Sequence, residues 1–252
     1  MKLGLIGAGN MGSALARGIG GPVLVADVDA ERARALADEL GGEALGSNAE
    51  VAERADVVVL CHKPGQLHEV AAEIAGKVRA LASILAATRI EQLEDAYPGV
   101  PVYRFIPNLP AEVGRGVLCY APGTRAAEGP EQEVLEVFGR AGLVIPLDEP
   151  LIEPAMAIMS CGPAFLAAVM DALADAGAAH GIEREQAARM GIETMAGTAE
   201  YLTRHGDDTA GLRRRVATPG GVTERGLHAL EDAGMPGAFR SAVDTVVEAA
   251  RA

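Results

Sequence analysis

The chain has 252 residues, a length that fits one large domain or two modest ones, and its many hydrophobic residues (49%) include few aromatics (3%). A core built from small and aliphatic side chains favours alanine-rich helices over an all-β sandwich. The net charge of −13 disfavours nonspecific binding to nucleic acid or anionic lipid, and three widely spaced cysteines predict reduced thiols in a cytoplasmic protein.

The first 148 residues alternate predicted strands with predicted helices. The strands are short apolar runs at residues 2–6, 22–27, 55–61, 82–87, 100–107, 116–123 and 143–148. This alternation predicts right-handed strand–helix–strand units and a parallel sheet that helices cover on both faces. From residue 149 to residue 252 every periodic segment is predicted to be a helix. We expect no apolar stretch that approaches the roughly 20 residues of a membrane span.

Three glycines, Gly7, Gly9 and Gly12, connect the first predicted strand to the first predicted helix. In the pattern Gly-x-Gly-x-x-Gly, the first glycine permits a tight turn, the second lets the backbone approach a pyrophosphate, and the third lets the helix pack on the strand. The helix N-terminus adds unpaired N–H groups and a partial positive charge. Because a strand precedes the motif and a helix follows it, we interpret it as a dinucleotide-binding loop, not as a simple glycine-rich turn.

Asp27 ends the second predicted strand, 20 residues after Gly7, where a carboxylate hydrogen-bonds the adenosine ribose hydroxyls. A carboxylate there repels the 2′-phosphate of NADPH, and neither Val28 nor Asp29 supplies a neutralising positive charge. Charge therefore slightly favours NADH. Arg32 and Arg34 are near enough in sequence to leave NADPH open.

A second glycine turn, Pro219–Gly221, leads straight into another predicted helix. The start of such a helix binds a carboxylate or a phosphate through backbone N–H groups, and Thr223 adds a hydroxyl. An ordinary helix capped by Thr218 or Thr223 is the alternative. We predict no metal site, because the spacing of His62 and His68 matches no common zinc motif.

Five segments carry a family resemblance, and they follow one another along the chain in the order that the family has. They are the glycine-rich opening, HKPGQ (62–66), YRFIPNLPAEVGRG (103–116), SCGPAF (160–165) and ATPGGVTERGLHALE (217–231). Together they resemble Δ1-pyrroline-5-carboxylate reductases over nearly the whole chain. The resemblance implies a Rossmann dinucleotide-binding domain at residues 1–148, followed by an all-helical domain at residues 149–252 that interlocks with a second copy to form a homodimer. In this family the dimers often assemble further into rings.

Matching positions imply roles for individual residues. Together with Asp27, the implied contacts with NADH or NADPH are Ile6, Gly7, Ala8, Gly9, Asn10, Met11, Gly12, Asn48, His62, Lys63, Pro64, Ala86, Ala87 and Asn108. Gly220, Gly221, Val222 and Thr223 would bind the carboxylate of a cyclic imino acid, and Thr223 would also reach the ring nitrogen. The resemblance implies hydride transfer from the nicotinamide to the C=N carbon, giving L-proline, with Thr223 as the catalytic residue.

Four positions depart from the family pattern. His62 replaces a valine, Thr88 a glycine and Leu109 a threonine, and Cys161 replaces a small residue. Thr88 and Leu109 lie close to where the nicotinamide should meet the substrate, and they leave open a related imine substrate or a non-catalytic nucleotide-binding paralogue. A Rossmann reductase with another substrate, such as a hydroxyacid dehydrogenase relative or a deazaflavin-dependent NADP reductase, is a further alternative. The absence of lysine from residues 148–252 argues against a lysine-based hydroxyacid dehydrogenase.

Overall fold

The structure is a computed structural model that describes residues 1–206 and 208–251. It divides into two compact units, residues 1–163 and residues 164–250. The first unit is an α/β sandwich and the second is helical, which confirms the predicted fold class.

The described residues of the first unit form one eight-stranded sheet. Its strands are β1 (Leu3–Ile6), β2 (Val23–Ala26), β3 (Glu43–Ala44), β4 (Val57–Leu60), β5 (Leu81–Ser83), β6 (Val102–Pro107), β7 (Gly116–Pro122) and β8 (Gly142–Pro146). They lie in the order β3-β2-β1-β4-β5-β6-β7-β8. The short β3 was not predicted.

The sheet is parallel except where β6 pairs with β7. The expectation of a wholly parallel sheet is wrong at this pair. Only residues 108–115, which contain the short 3-10 helix Leu109–Val113, join the two strands. A parallel return needs a crossover of a dozen or more residues, so the chain here reverses direction.

Helices cover both faces of the sheet. They are α1 (Asn10–Ile19), α2 (Ala30–Leu40), α3 (Asn48–Arg54), α4 (Leu67–Ile74), α5 (Ile90–Ala96), α6 (Glu131–Phe138) and α7 (Ile152–Met159). Successive strand residues point to opposite faces: Val57 and Val59 pack in one hydrophobic cluster, and Val58 and Leu60 pack in the other. Two buried faces explain why β4 is an uninterrupted apolar run.

The second unit consists of helices in its described residues. They are α8, which begins just before it (Gly162–Ala179), α9 (Arg184–Arg204), α10 (Thr209–Val216), α11 (Val222–Asp232) and α12 (Met235–Arg251). Large apolar side chains on α8 and α9 remain exposed, among them Leu173 and Met190. The all-helical prediction for this region is therefore confirmed, with much of its apolar surface uncovered in a single chain.

The segment between the two regions packs on the sheet. Ile152 and Met159 of α7 share a hydrophobic cluster with Ile106 and Cys119. The compact units accordingly separate after Pro163, whereas the predicted domain boundary follows residue 148, where the strands end. The domain boundary after residue 148 stays a prediction.

The expectation that no apolar stretch approaches the length of a membrane span is wrong. The stretch Glu149–Ala179 contains an 18-residue window with a mean hydropathy of 1.7 and by length and composition is able to cross a membrane. The acidic residues of this stretch lie toward its two ends, and the residues between them are apolar. Only 11% of that window is buried in the chain, a property that an apolar surface covered by a second protein copy would also have.

Candidate active site

The glycine-rich loop has the geometry that its motif predicts. Gly7 has a φ of +103°, and a Cβ there would lie 2.8 Å from the carbonyl carbon of Cys61. A Cβ at Gly12 would lie 2.8 Å from the Cβ of Cys61, so α1 packs closely on the end of β4. A Cβ at Gly9 would meet nothing within 4 Å. Two glycines are thus required by packing, and the middle one leaves open space beside the backbone.

The loop ends at the N-terminus of α1, where an anion is favoured. Gly9 is the N-cap of this ten-residue helix, no side chain caps its first turn, and the turn has no acidic residue. The first N–H groups of a helix lack intrahelical partners and attract a negative charge. A pyrophosphate therefore matches this end of the helix.

Asp27 lies under the loop and is largely buried, with 6% of its side chain exposed. One carboxylate oxygen accepts a hydrogen bond from the N–H of Ala8 (2.6 Å), and the other accepts from the N–H of Asp29 (2.8 Å). The sequence predicted Asp27 as a ribose ligand and gave no sign of these two bonds. Asp27 thus fixes the shape of the glycine-rich loop whether or not it also contacts a ribose.

A cleft of about 240 Å³ brings many of the predicted cofactor residues together. Those that line it are Ile6, Gly7, Gly9, Asp27, Asn48, His62 and Lys63. Arg32, which the sequence analysis noted as a nearby charge, also lines it. Residues that were not predicted as cofactor contacts line it too: Ala26, Val28, Cys61, Gln66, Glu69, Val70 and Glu73. Among the predicted contacts, Ala8, Asn10, Met11, Gly12, Pro64, Ala86, Ala87 and Asn108 do not line this cleft.

The cleft contains charges of both signs. The Arg32 guanidinium lies 3.9 Å from Asp27 and 3.4 Å from Asp29. The Asn48 side chain donates to the carboxylate of Glu73 (2.9 Å). Arg32 was noted in the sequence only as a nearby charge, and its pairing with both aspartates follows from the turn between β2 and α2.

His62 follows β4 and lines the cleft. Its Nδ1 lies 2.9 Å from the carbonyl oxygen of Lys63, and its Nε2 is buried without a hydrogen-bond partner. Burial lowers the pKa of this imidazole, and the hydrogen bond to Lys63 offsets part of that effect. Lys63 is exposed, and its N–H donates to the side-chain oxygen of Gln66 (3.2 Å), which orders the turn that begins at Pro64.

The turn after β5 accommodates the threonine at the family's glycine position. Ala87 has a φ of +53° and is the one non-glycine residue with positive φ in the described ranges. Thr88 is buried, and its hydroxyl donates to the carbonyl oxygen of Ala86 (3.3 Å). The left-handed conformation falls on Ala87, so Thr88 imposes no backbone strain.

Asn108 is buried at the end of β6 and already uses its side-chain amide. Its Nδ2 donates to the carbonyl oxygen of Met159 (2.9 Å), and its Oδ1 accepts from the N–H of Val117 (2.9 Å). These bonds join β6 to α7 and to β7, and the implied cofactor contact stays a prediction. Leu109, next in the chain, is 55% exposed.

The second glycine turn begins α11. Gly220 has a φ of +74°, and its N–H donates to the carboxylate of Glu224 (2.7 Å). Gly221 is the N-cap, and no side chain caps the first turn, so the alternative of a threonine cap is wrong. Val222 is 85% exposed and Thr223 is exposed as well, which leaves the helix start accessible. Glu224 was not predicted to take part in this turn.

A sheet of this order, with a glycine-rich loop after β1 and a helical region after β8, defines a Rossmann-fold oxidoreductase. A family model described as NADP oxidoreductase coenzyme F420-dependent matches residues 2–87, and one described as pyrroline-5-carboxylate reductase dimerisation matches residues 149–252. The chain belongs to the pyrroline-5-carboxylate reductase family.

Relatives of known identity align along the whole chain. It is 31% identical to the pyrroline-5-carboxylate reductase of Methanosarcina acetivorans, over 96% of this chain and 94% of that protein. It is 34% identical to pyrroline-5-carboxylate reductase 3 of Macaca fascicularis, over 99% and 95%. The solved structure of Plasmodium falciparum pyrroline carboxylate reductase with NADP bound has a TM-score of 0.86 at 26% identity, over 99% and 97%. These matches favour the predicted family over the hydroxyacid and deazaflavin alternatives.

Proposed function

We propose that the protein reduces Δ1-pyrroline-5-carboxylate to L-proline with a reduced nicotinamide dinucleotide. The observation that carries the proposal is the presence, in one chain of this family, of two helix starts without side-chain caps, at Gly9 and at Gly221. Each offers backbone N–H groups to an anion. The first suits a pyrophosphate, and the second suits the carboxylate of a small imino acid.

The glycine-rich loop and the cleft fit a dinucleotide. Gly9 leaves the space that a phosphate requires, and His62 has a buried nitrogen without a partner. When bound, the reduced nicotinamide supplies the hydride. The loop residues 7–12 would hold the pyrophosphate. Asn48, His62 and Lys63 would contact the remainder of the molecule within the cleft.

The substrate site is proposed at the second glycine turn. The N–H groups at Val222 and Thr223 would bind the substrate carboxylate, and the hydroxyl of Thr223 would hydrogen-bond the ring nitrogen. The N–H of Gly221 instead closes the turn, because it donates to the carbonyl oxygen of Thr218 (2.9 Å). The C=N group accepts hydride best when its nitrogen carries a proton, so the protein has mainly to orient the two rings at roughly 3–3.5 Å. Little acid–base machinery is then required.

Replacing Thr223 by alanine tests this site. We expect kcat/KM for Δ1-pyrroline-5-carboxylate to fall about 10-fold, because one hydrogen bond to the reacting ring is lost. The assay follows NADH or NADPH oxidation, with five- and six-membered cyclic imino acids compared. Thr203→Ala, on an exposed position of α9, is the matched control. Unchanged kcat/KM in Thr223→Ala would remove this residue from the mechanism, and a wild-type protein that binds dinucleotide without turnover would be a sensor instead.

The proposed cofactor preference is NADH. Arg32 is shared between Asp27 and Asp29, and Glu69 and Glu73 also line the cleft, so a 2′-phosphate meets more negative than positive charge. The NADP-bound relative from Plasmodium shows that this fold also accepts the phosphorylated dinucleotide.

Asp29→Asn is expected to shift the preference towards NADPH. Asparagine caps a helix as well as aspartate does, so α2 keeps its N-cap while Arg32 loses one anionic partner. We expect the ratio of kcat/KM for NADPH to that for NADH to rise about 3- to 10-fold. Asp38→Asn makes the same charge change at an exposed position on α2 and should leave the ratio unchanged. Equal ratios in the two variants would exclude Arg32 from discrimination.

We further propose that the protein is a cytoplasmic homodimer. Exposed apolar side chains on α8 and α9, in the region that matches the dimerisation model, support association through the second unit. The free thiols of all three cysteines are consistent with a reducing compartment. Assembly of dimers into a ring and the lack of membrane contact are parts of the same proposal.

A further inference from the structure

His62 is the polar group in the cleft whose hydrogen bonding is incomplete. It lies two residues after Leu60, the last residue of β4, and β4 lies beside β1 in the sheet. Its backbone N–H group is close to the glycine-rich loop: a Cβ at Gly7 would lie 2.9 Å from the His62 nitrogen. The backbone of His62 therefore lies beside the glycine-rich loop, and the residue lines the cleft.

The two ring nitrogens have different roles. The carbonyl oxygen of Lys63 accepts a hydrogen bond, so Nδ1 at 2.9 Å must be the donor. In a neutral imidazole that donates from Nδ1, Nε2 carries a lone pair and is an acceptor. Burial lowers the pKa of the ring and favours this neutral form. His62 thus has a fixed acceptor without a partner, buried beside the cleft that the residue lines.

An unpaired buried acceptor destabilises the protein unless a donor reaches it. The charged groups that line the same cleft are Asp27, Arg32, Lys63, Glu69 and Glu73, and none of them bonds Nε2. An ionised phosphate offers only oxygen acceptors, which the lone pair of Nε2 would repel. The ribose hydroxyls of a dinucleotide are donors, and they are attached next to the pyrophosphate.

We propose that Nε2 of His62 accepts a hydrogen bond from a ribose hydroxyl of the bound dinucleotide. The inference rests on the proposed dinucleotide site and adds to it the ligand group that His62 recognises. Because Nε2 has no exposed surface before binding, the hydroxyl reaches it by displacing side chains that line the cleft.

The test compares His62→Val with His62→Gln and with His68→Val, a control at an exposed histidine on α4. Dissociation constants for NADH are measured by fluorescence titration and unfolding midpoints are measured without ligand. We expect His62→Val to weaken NADH binding about 3- to 10-fold without lowering the unfolding midpoint, because the valine removes an unsatisfied acceptor. The side-chain carbonyl oxygen of glutamine extends to the position of Nε2. His62→Gln should therefore recover at least half of the lost NADH affinity, measured as the logarithm of the dissociation constant.

Nitrogen-15 NMR of labelled histidine gives a readout apart from affinity. The Nε2 resonance of His62 should move towards that of a hydrogen-bonded nitrogen when NADH is added, and Nδ1 should not move. ADP, which has only the adenosine ribose, and ADP-ribose, which has two, identify which ribose is bound. NADH affinity unchanged in His62→Val, a glutamine variant as weak as the valine variant, or an unshifted Nε2 would each overturn the proposal. A wild-type protein that fails to bind NADH and NADPH would instead overturn the proposed function.

Discussion

Gly9→Ala is expected to abolish tight dinucleotide binding while the protein stays folded. The added methyl group would meet no protein atom within 4 Å and would lie in the space beside the loop where a pyrophosphate must approach the backbone. We expect the dissociation constant for NADH to rise about 100-fold, the effect of displacing the phosphate from several backbone donors together. The φ of −69° suits alanine, and loss of an N-cap glycine costs about 1 kcal/mol.

Gly7→Ala, in the same loop, is expected to lower the stability of the protein, whereas Gly9→Ala chiefly weakens dinucleotide binding. Here the φ is +103° and the new Cβ would lie 2.8 Å from the Cys61 backbone, so the free energy of unfolding should fall by roughly 2–4 kcal/mol. Gly76→Ala, where a Cβ also meets nothing within 4 Å, is the neutral control. Urea unfolding and NADH fluorescence measure both properties, and the chain has no tryptophan to add background. Tight NADH binding by Gly9→Ala would place the pyrophosphate elsewhere.

The opening of the chain was predictable because local signals agree there. An apolar run, three glycines at fixed spacing and an alanine-rich helix each indicate the same strand–turn–helix unit, and the structure has it. The glycine turn before α11 likewise follows from Pro219–Gly221, but the absence of a side-chain cap does not, since Thr218 and Thr223 each offered one. Such features depend on neighbouring residues, which a single sequence displays directly.

Other features depend on residues distant in the chain and could not be predicted. The bond from Ala8 to Asp27 spans 19 residues, and the carbonyl of Met159 that Asn108 binds is 51 residues away. The antiparallel direction of β7 is a different case, because only eight residues, 108–115, separate the predicted strands 100–107 and 116–123. That connection is too short for a parallel crossover, so the direction was predictable and was missed.

Arg104 is another residue whose role the sequence did not indicate. Its side chain is 1% exposed, and it donates to Glu149 (2.9 Å) and lies 3.5 Å from Glu153. Glu149 also accepts from the N–H of Ile90 (2.6 Å), the first residue of α5. One buried guanidinium thus joins β6, the start of α5 and the segment that leads into α7.

Arg104→Met is expected to lower the free energy of unfolding by about 3–5 kcal/mol, because two partly buried carboxylates lose their counter-charge. The NADH dissociation constant should also rise, since Ile90 follows the turn of Ala86–Thr88 that the family pattern assigns to the cofactor. The matched control adds Glu149→Gln and Glu153→Gln to Arg104→Met. The triple variant should recover most of the lost free energy of unfolding, because the main cost in Arg104→Met is the two carboxylates left without a counter-charge, and the triple variant has neither carboxylate. If the triple variant is as unstable as Arg104→Met, then the packing of the arginine stem, and not its charge, holds this junction together.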